Sequence, residues 1–119
     1  MSSSGGITTT VGRLTVTGAW SMPTRAVAVN TAMTATDFEL LVTTGAGAIA
    51  VTLPAAPSTG RMAAVKKVDA GAGTVTVTPA AGQLDGAASQ PLAGQNTGIL
   101  IQWDGANWWT VAEIAPTIL

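Results

Sequence analysis

The stretch GAGTVTVTPAAGQLDGAASQPLAGQNTGILIQWDGANWWTV, residues 71–111, decides the fold. Its first part alternates. Val75 and Val77 point to one side of an extended chain and Thr74, Thr76 and Thr78 to the other, the period of two that marks a strand with one buried face. Pro79 closes that strand, where a missing N–H does no harm to a ladder. Leu84, Asp85, Gly86 and Ala87 follow as a turn, because Asp bonds nearby backbone N–H groups and Gly accepts positive φ. The apolar run 99–103 then meets a turn at 104–107 and returns through Trp108 and Trp109, the pattern of a hairpin.

Upstream, the same pattern recurs. GAGAIAVTLPAA from Gly45 echoes GAGTVTVTPAA from Gly71, and Ile49, Val51 and Leu53 oppose Ala48, Ala50 and Thr52 as the valines oppose the threonines. Gly-bearing turns between β-branched runs predict three hairpin units: 38–43 with 48–53, 63–68 with 74–78, and 97–103 with 108–113. The echo is either a duplicated hairpin or a product of low complexity. Residues 13–17 read as a short strand, Trp20, Met22 and Pro23 as a turn carrying an apolar plug, and 25–37 as a strand followed by a loop. No segment of ten or more residues shows capped helical spacing. The expected fold is all-β, a small antiparallel β-sandwich or jelly-roll-like barrel. Residues 1–20 form an N-terminal arm with the first short strand, and 21–119 a compact β domain.

Composition narrows the function classes. Of 119 residues only 9% are charged, against about 25% in ordinary soluble domains, so much of the surface is neutral or covered. Five aromatic residues, Trp20, Phe38, Trp103, Trp108 and Trp109, leave the core to small aliphatics that bury little area each. A symmetric oligomer supplies the missing apolar burial, since obligate interfaces resemble a core cut in half; a monomer solubilised by Thr, Ser, Asn and Gln is the alternative. The net charge is −1. Arg13, Arg25, Arg61, Lys66 and Lys67 form no concentrated cationic footprint, which argues against nucleic acid. No apolar run approaches a membrane span, and the N-terminus lacks the basic and apolar regions of a signal peptide. Synthesis in a cytosol is therefore expected.

The side chains of common catalysis are missing. The chain has no His, Cys or Tyr, which removes the usual general base, the commonest metal ligand and thiolate chemistry. Asp37 and Glu39 make the only close carboxylate pair; two carboxyls flanking a cleft could serve glycoside hydrolysis, but a solvated pair at a strand start is the simpler reading. Asp85 and Asp104 precede glycines as turn residues, and isolated Asp-Gly turns do not assemble the six to eight oxygens calcium requires. No enzyme activity, metal or cofactor is expected.

The order of these elements resembles a small β module of tailed-bacteriophage virion proteins, found in head-fibre or decoration proteins and in distal parts of tail fibres. The resemblance covers roughly the last 80 residues, judged by its short hairpin loops. It is carried by the alternating strand 74–79, the turn 84–87, the apolar strand 99–103 and the hairpin 104–108. It implies a homotrimeric virion structural protein, a capsid decoration or head-fibre protein on the outer capsid surface, made in host cytoplasm. The major capsid protein is its expected partner, and Ile7, Val11, Arg13, Leu14 and Trp20 are the candidate capsid anchors. Only some 35 residues precede the module, too few for a fibre shaft at about 3.3 Å per residue. Trp103, Trp108 and Trp109 are the candidate contacts with another subunit or partner; adjacent Trp108 and Trp109 point to opposite faces, so one enters the core. The outer one serves subunit or capsid contact, cross-strand packing, or stacking on host surface glycan in a tail-fibre adhesin.

Overall fold

Nine strands form in a computed structural model that describes residues 15–114. They are β1 (Thr24–Val27), β2 (Thr31–Ala32), β3 (Glu39–Val42), β4 (Ile49–Leu53), β5 (Met62–Lys67), β6 (Val75–Pro79), β7 (Gln90–Leu92), β8 (Gly98–Trp103) and β9 (Trp108–Ile114). No helix occurs among the described residues. The all-β sandwich expectation holds, but its antiparallel part is corrected: both sheets are mixed. One has the order β1-β3-β5-β8-β9 and the other β2-β4-β6-β7. The neighbours β1, β3 and β5 run parallel, as do β2, β4 and β6, while β7, β8 and β9 add antiparallel.

This topology corrects two of the three predicted hairpins. Strands β3 and β4 do not pair; the turn between them carries the chain from one sheet to the other. The turn between β5 and β6 does the same. Each is a β-arc, whose strands face each other through side chains rather than through backbone hydrogen bonds. The ladder positions flanking β3 are taken by β1 and β5, so its backbone groups have no need of β4. Only the third unit, β8 with β9, is a hairpin.

The echo between Gly45 and Gly71 is the repeat of this stack. Ile49 stands beside Val75, Val51 beside Val77 and Leu53 beside Pro79, while the N–H of Gly73 donates to the carbonyl of Gly45 at 3.1 Å. A Cβ on Gly71 would collide with the Gly45 carbonyl, and one on Gly73 with the Gly47 carbonyl. The arcs therefore stack directly, and only glycine permits so close an approach at the upper position.

The inward faces make one core. Leu40, Val42, Val65 and Ile101 from the five-stranded sheet meet Val51, Leu53, Val75 and Val77 from the four-stranded sheet, all essentially without solvent contact. Leu84, Trp103 and Trp108 join the same cluster. Alternation explains the selection: the outward neighbours Thr52, Thr76 and Thr78 are only partly covered.

At the N-terminal side the expectations are revised. Thr15, Val16 and Thr17 are exposed and belong to no strand; the rest of the predicted strand 13–17 lies outside the described residues, as do Ile7, Val11, Arg13 and Leu14. Residues 25–37 hold two strands rather than one. The second, β2, has two residues, too few for alternation to reveal.

Candidate interaction surfaces

The Trp-rich hairpin is held from both ends. Asp104 accepts hydrogen bonds from the N–H of Ala106 at 2.8 Å and of Asn107 at 2.7 Å, the local bonding expected of Asp in a turn. Its other oxygen accepts from Nε1 of Trp109 at 2.7 Å. The Asn107 N–H, the Trp109 indole and the Ala106 N–H together hold the Asp104 carboxyl below the usual carboxylate range. Trp109 is thereby fixed in orientation while 47% exposed.

Trp108 turns the other way, as the alternation required. It is fully buried, and its ring lies 5.5 Å from that of Trp103 at a tilt of 55°, an arrangement aromatic quadrupoles favour. Trp103 and Trp108 are thus core residues, which corrects their reading as partner contacts. Trp109 alone of the three presents its ring to the outside.

The 84–87 turn docks against this hairpin. Asp85 and Gly86 both have positive φ, 53° and 78°, the signature of a type I′ turn, and Leu84 and Ala87 exchange both backbone bonds at 2.9 Å. Asp85 does not bond its own turn as expected. Its carboxylate reaches across to Thr110, accepting from the backbone N–H at 2.7 Å and from Oγ1 at 2.5 Å. The reason lies in β9. The register shifts between Leu100 and Ile101, so that Thr110 borders a β-bulge and its N–H needs an acceptor outside the ladder.

The ionic groups are used for construction. Lys67, in phase with Ala63 and Val65, points inward and is fully buried. Its ammonium donates to Thr44 Oγ1, to the carbonyls of Asp69 and Gly71, and to Asp69 Oδ1. Asp69 in turn accepts from the N–H groups of Thr44, Gly45 and Gly71. Bonds from Thr44 and Gly45 above all hold its carboxyl far below the ordinary value. Asp37 is engaged with Arg25 through two bonds, 2.7 and 3.1 Å, and with the N–H of Thr34. Arg25 first, and Thr34 after it, lower Asp37 to about 2. Arg61 spends its guanidinium on the carbonyls of Thr34, Ala35, Asp37 and Met62. Asp37 is therefore committed to an ion pair, while Glu39 begins β3. Among the described residues no three His, Cys, Asp or Glu side chains converge as a metal site. The inward phase of Lys67 was legible in its alternation with Val65; the cross-chain partners of Asp85 and Asp37 carried no local signal.

Much of what remains open to a partner is apolar. Exposed large hydrophobics sit at the two ends of the five-stranded sheet. Val16, Trp20 and Met22 precede β1, Val29 lies between β1 and β2, and Trp109, Val111 and Ile114 lie on β9. A shallow groove on the outer face is lined by Phe38, Ala64, Leu100, Ala112 and Ile114, with Glu39 at its wall. A second hollow gathers Trp20, Met22, Pro23, Phe38 and Met62 beside Asp37 and Arg61. Comparison with known protein families and with curated proteins finds no match for this chain.

Proposed function

We propose that this chain is a bacteriophage virion structural protein, a trimeric capsid decoration or head-fibre protein that docks through its N-terminal arm and reinforces the shell. The virion assignment rests on the order of the alternating strand, the Leu84 to Ala87 turn and the Trp hairpin. The docking mode rests on one observation: the exposed large hydrophobics are concentrated at opposite ends of a stack that otherwise presents Thr, Ala and few charges. Such a surface associates by apolar burial and main-chain contact rather than by ion pairing, so its attachment resists salt. Trp20 and the apolar arm residues Ile7 and Val11 serve as anchors on capsid subunits. Trp109 serves contact between protomers.

Electron cryo-microscopy of the particle tests this directly. Density for the chain at capsid three-fold or quasi-three-fold axes supports it, and deletion of residues 1–12 is expected to leave a folded oligomer that no longer attaches. A truncated protein that coats capsids at full occupancy overturns the arm's role. The half-exposed, oriented ring of Trp109 favours a second reading, a tail-tip adhesin stacking on host glycan. Density at the tail end, with glycan binding lost in Trp109→Ala while the oligomer persists, establishes that reading instead.

A further inference from the structure

The two outer faces of the sandwich differ. On the four-stranded sheet the outward positions are Ala50, Thr52, Thr76 and Thr78, small or hydroxylated side chains that suit a face turned to water. On the five-stranded sheet the same alternation turns out Leu41, Met62, Ala64, Leu100 and Trp109. The register sets these side chains in rows. Glu39, Ala64, Leu100 and Ala112 stand side by side across β3, β5, β8 and β9. Leu41, Lys66, Gly98 and Ile114 form the next row on one side, and Met62, Gln102 and Trp109 the next on the other. A continuous apolar face on one side of a sandwich marks a surface that a partner covers.

The charges on that face identify the partner. Glu39 and Lys66 are the ionic side chains of these rows, one of each sign, and neither joins an ion pair; the salt bridges among the described residues are Arg25 with Asp37 and Lys67 with Asp69. They stand on neighbouring strands two positions apart in register, since Glu39 lies beside Ala64 and Lys66 beside Leu41. A foreign partner would have to supply both complements, whereas a second copy of the chain already carries them. Shape agrees with charge. Trp109, 47% exposed, projects from one row, and the groove of Phe38, Ala64, Leu100 and Ala112 lies beside it. A projection and a hollow on one face fit a like face. The bond from the Trp109 indole to Asp104 presets the ring, so docking it costs little side-chain entropy.

We propose that this outer face is the contact between copies of the chain, with Glu39 of one copy set against Lys66 of the next and Trp109 of one against the groove of the next. In a closed ring each copy gives its carboxylate to one neighbour and its ammonium to the other, so every charge on the face is paired. Apolar side chains around each pair keep water back, which strengthens it over a pair in open solvent. The inference rests on the oligomer in the reading above and deepens it by naming the face. It is independent of the shell on which the protein docks.

Charge reversal tests it in the full chain. Glu39→Lys and Lys66→Glu are each expected to lower the association constant in sedimentation equilibrium by about tenfold or more, because like charges then meet across the contact. The double variant recreates the opposite-sign pair and is expected to restore association. Thr76→Glu, on the outer face of the other sheet, should leave association unchanged. Single variants that associate like the parent, or a double variant as weak as the singles, overturn the proposal while the oligomer stands on another surface. A parent chain that sediments as one subunit at every concentration overturns the oligomer as well. Carbodiimide coupling of an equal mixture of unlabelled and heavy-nitrogen chains gives a second reading on the unmodified sequence. An amide joining Glu39 to Lys66 of a differently labelled chain is expected. Coupling of the two only within one chain also overturns the proposal.

Discussion

The ammonium of Lys67 lies 3.1 Å from Oδ1 of Asp69, two residues along the chain, with no solvent contact on the lysine side chain. The pair knots two arcs together. Through Thr44 and Gly45 it reaches the turn after β3, and through Asp69 and Gly71 the turn after β5. A buried lysine is costly unless its charge and all its protons find partners, and here four acceptors surround it.

Acid should dissolve this arrangement in stages. Asp37 and Asp69 both titrate below the ordinary 3.8 when folded, so the stability they contribute is complete above that value and is lost as pH falls through the folded one. Urea midpoints are expected to stay level from neutral pH to about 4 and to drop below it, where the unfolded chain takes up protons that folded Asp37 and Asp69 still refuse. Asp69, held lower than Asp37, prolongs the decline. Arg25→Gln should make the drop shallower and leave the share that Asp69 carries.

Two glycines of the echo should respond differently to the same substitution. Gly47→Ala meets open space and is expected to change stability by less than about 0.5 kcal/mol. Gly73→Ala drives a methyl into the Gly47 carbonyl one coil below and is expected to cost about 1–3 kcal/mol, as overpacking does. Equal effects in denaturant titrations would contradict the stacked arcs.

Asp85 has two jobs, a left-handed backbone and the acceptor for the bulge at Thr110. Asp85→Asn keeps tolerance of positive φ and one acceptor, whereas Asp85→Ala loses both. The alanine variant is expected to lose about 1–2 kcal/mol, with strain and a missing hydrogen bond adding, and the asparagine variant visibly less. Amide exchange at Thr110 should accelerate in the alanine variant.

Adjacent tryptophans should separate folding from association. Trp108→Ala is expected to cost about 3–5 kcal/mol, as removal of a buried aromatic does. Trp108→Phe should cost much less, since Nε1 is buried without an acceptor. Trp109→Ala is expected to melt close to the parent and to show its effect in sedimentation, as a lower oligomer fraction at equal concentration.

Alternation made the strands legible in the sequence, along with their buried faces, the tight turn at Asp85 and the opposed directions of Trp108 and Trp109. It could not tell a hairpin from an arc. Both read as strand, glycine turn, strand with the apolar residues in phase; they differ in whether the strands share a sheet or face each other across the core. The distinguishing sign was the echo from Gly45 to Gly71, where matched glycines mean backbones lying one on another. The ion pairs Arg25–Asp37 and Lys67–Asp69 depend on which loops the topology brings together, information no local pattern holds.

Because the β3–β4 unit and the β5–β6 unit lie in parallel register, β3 beside β5 and β4 beside β6, an added copy of such a unit meets the same backbone lattice and the same inward row that its template met. Internal duplication could therefore lengthen the molecule in steps of one strand spacing, about 4.8 Å, without redesigning its interior. Growth of this kind lengthens the stack while its Trp hairpin stays intact.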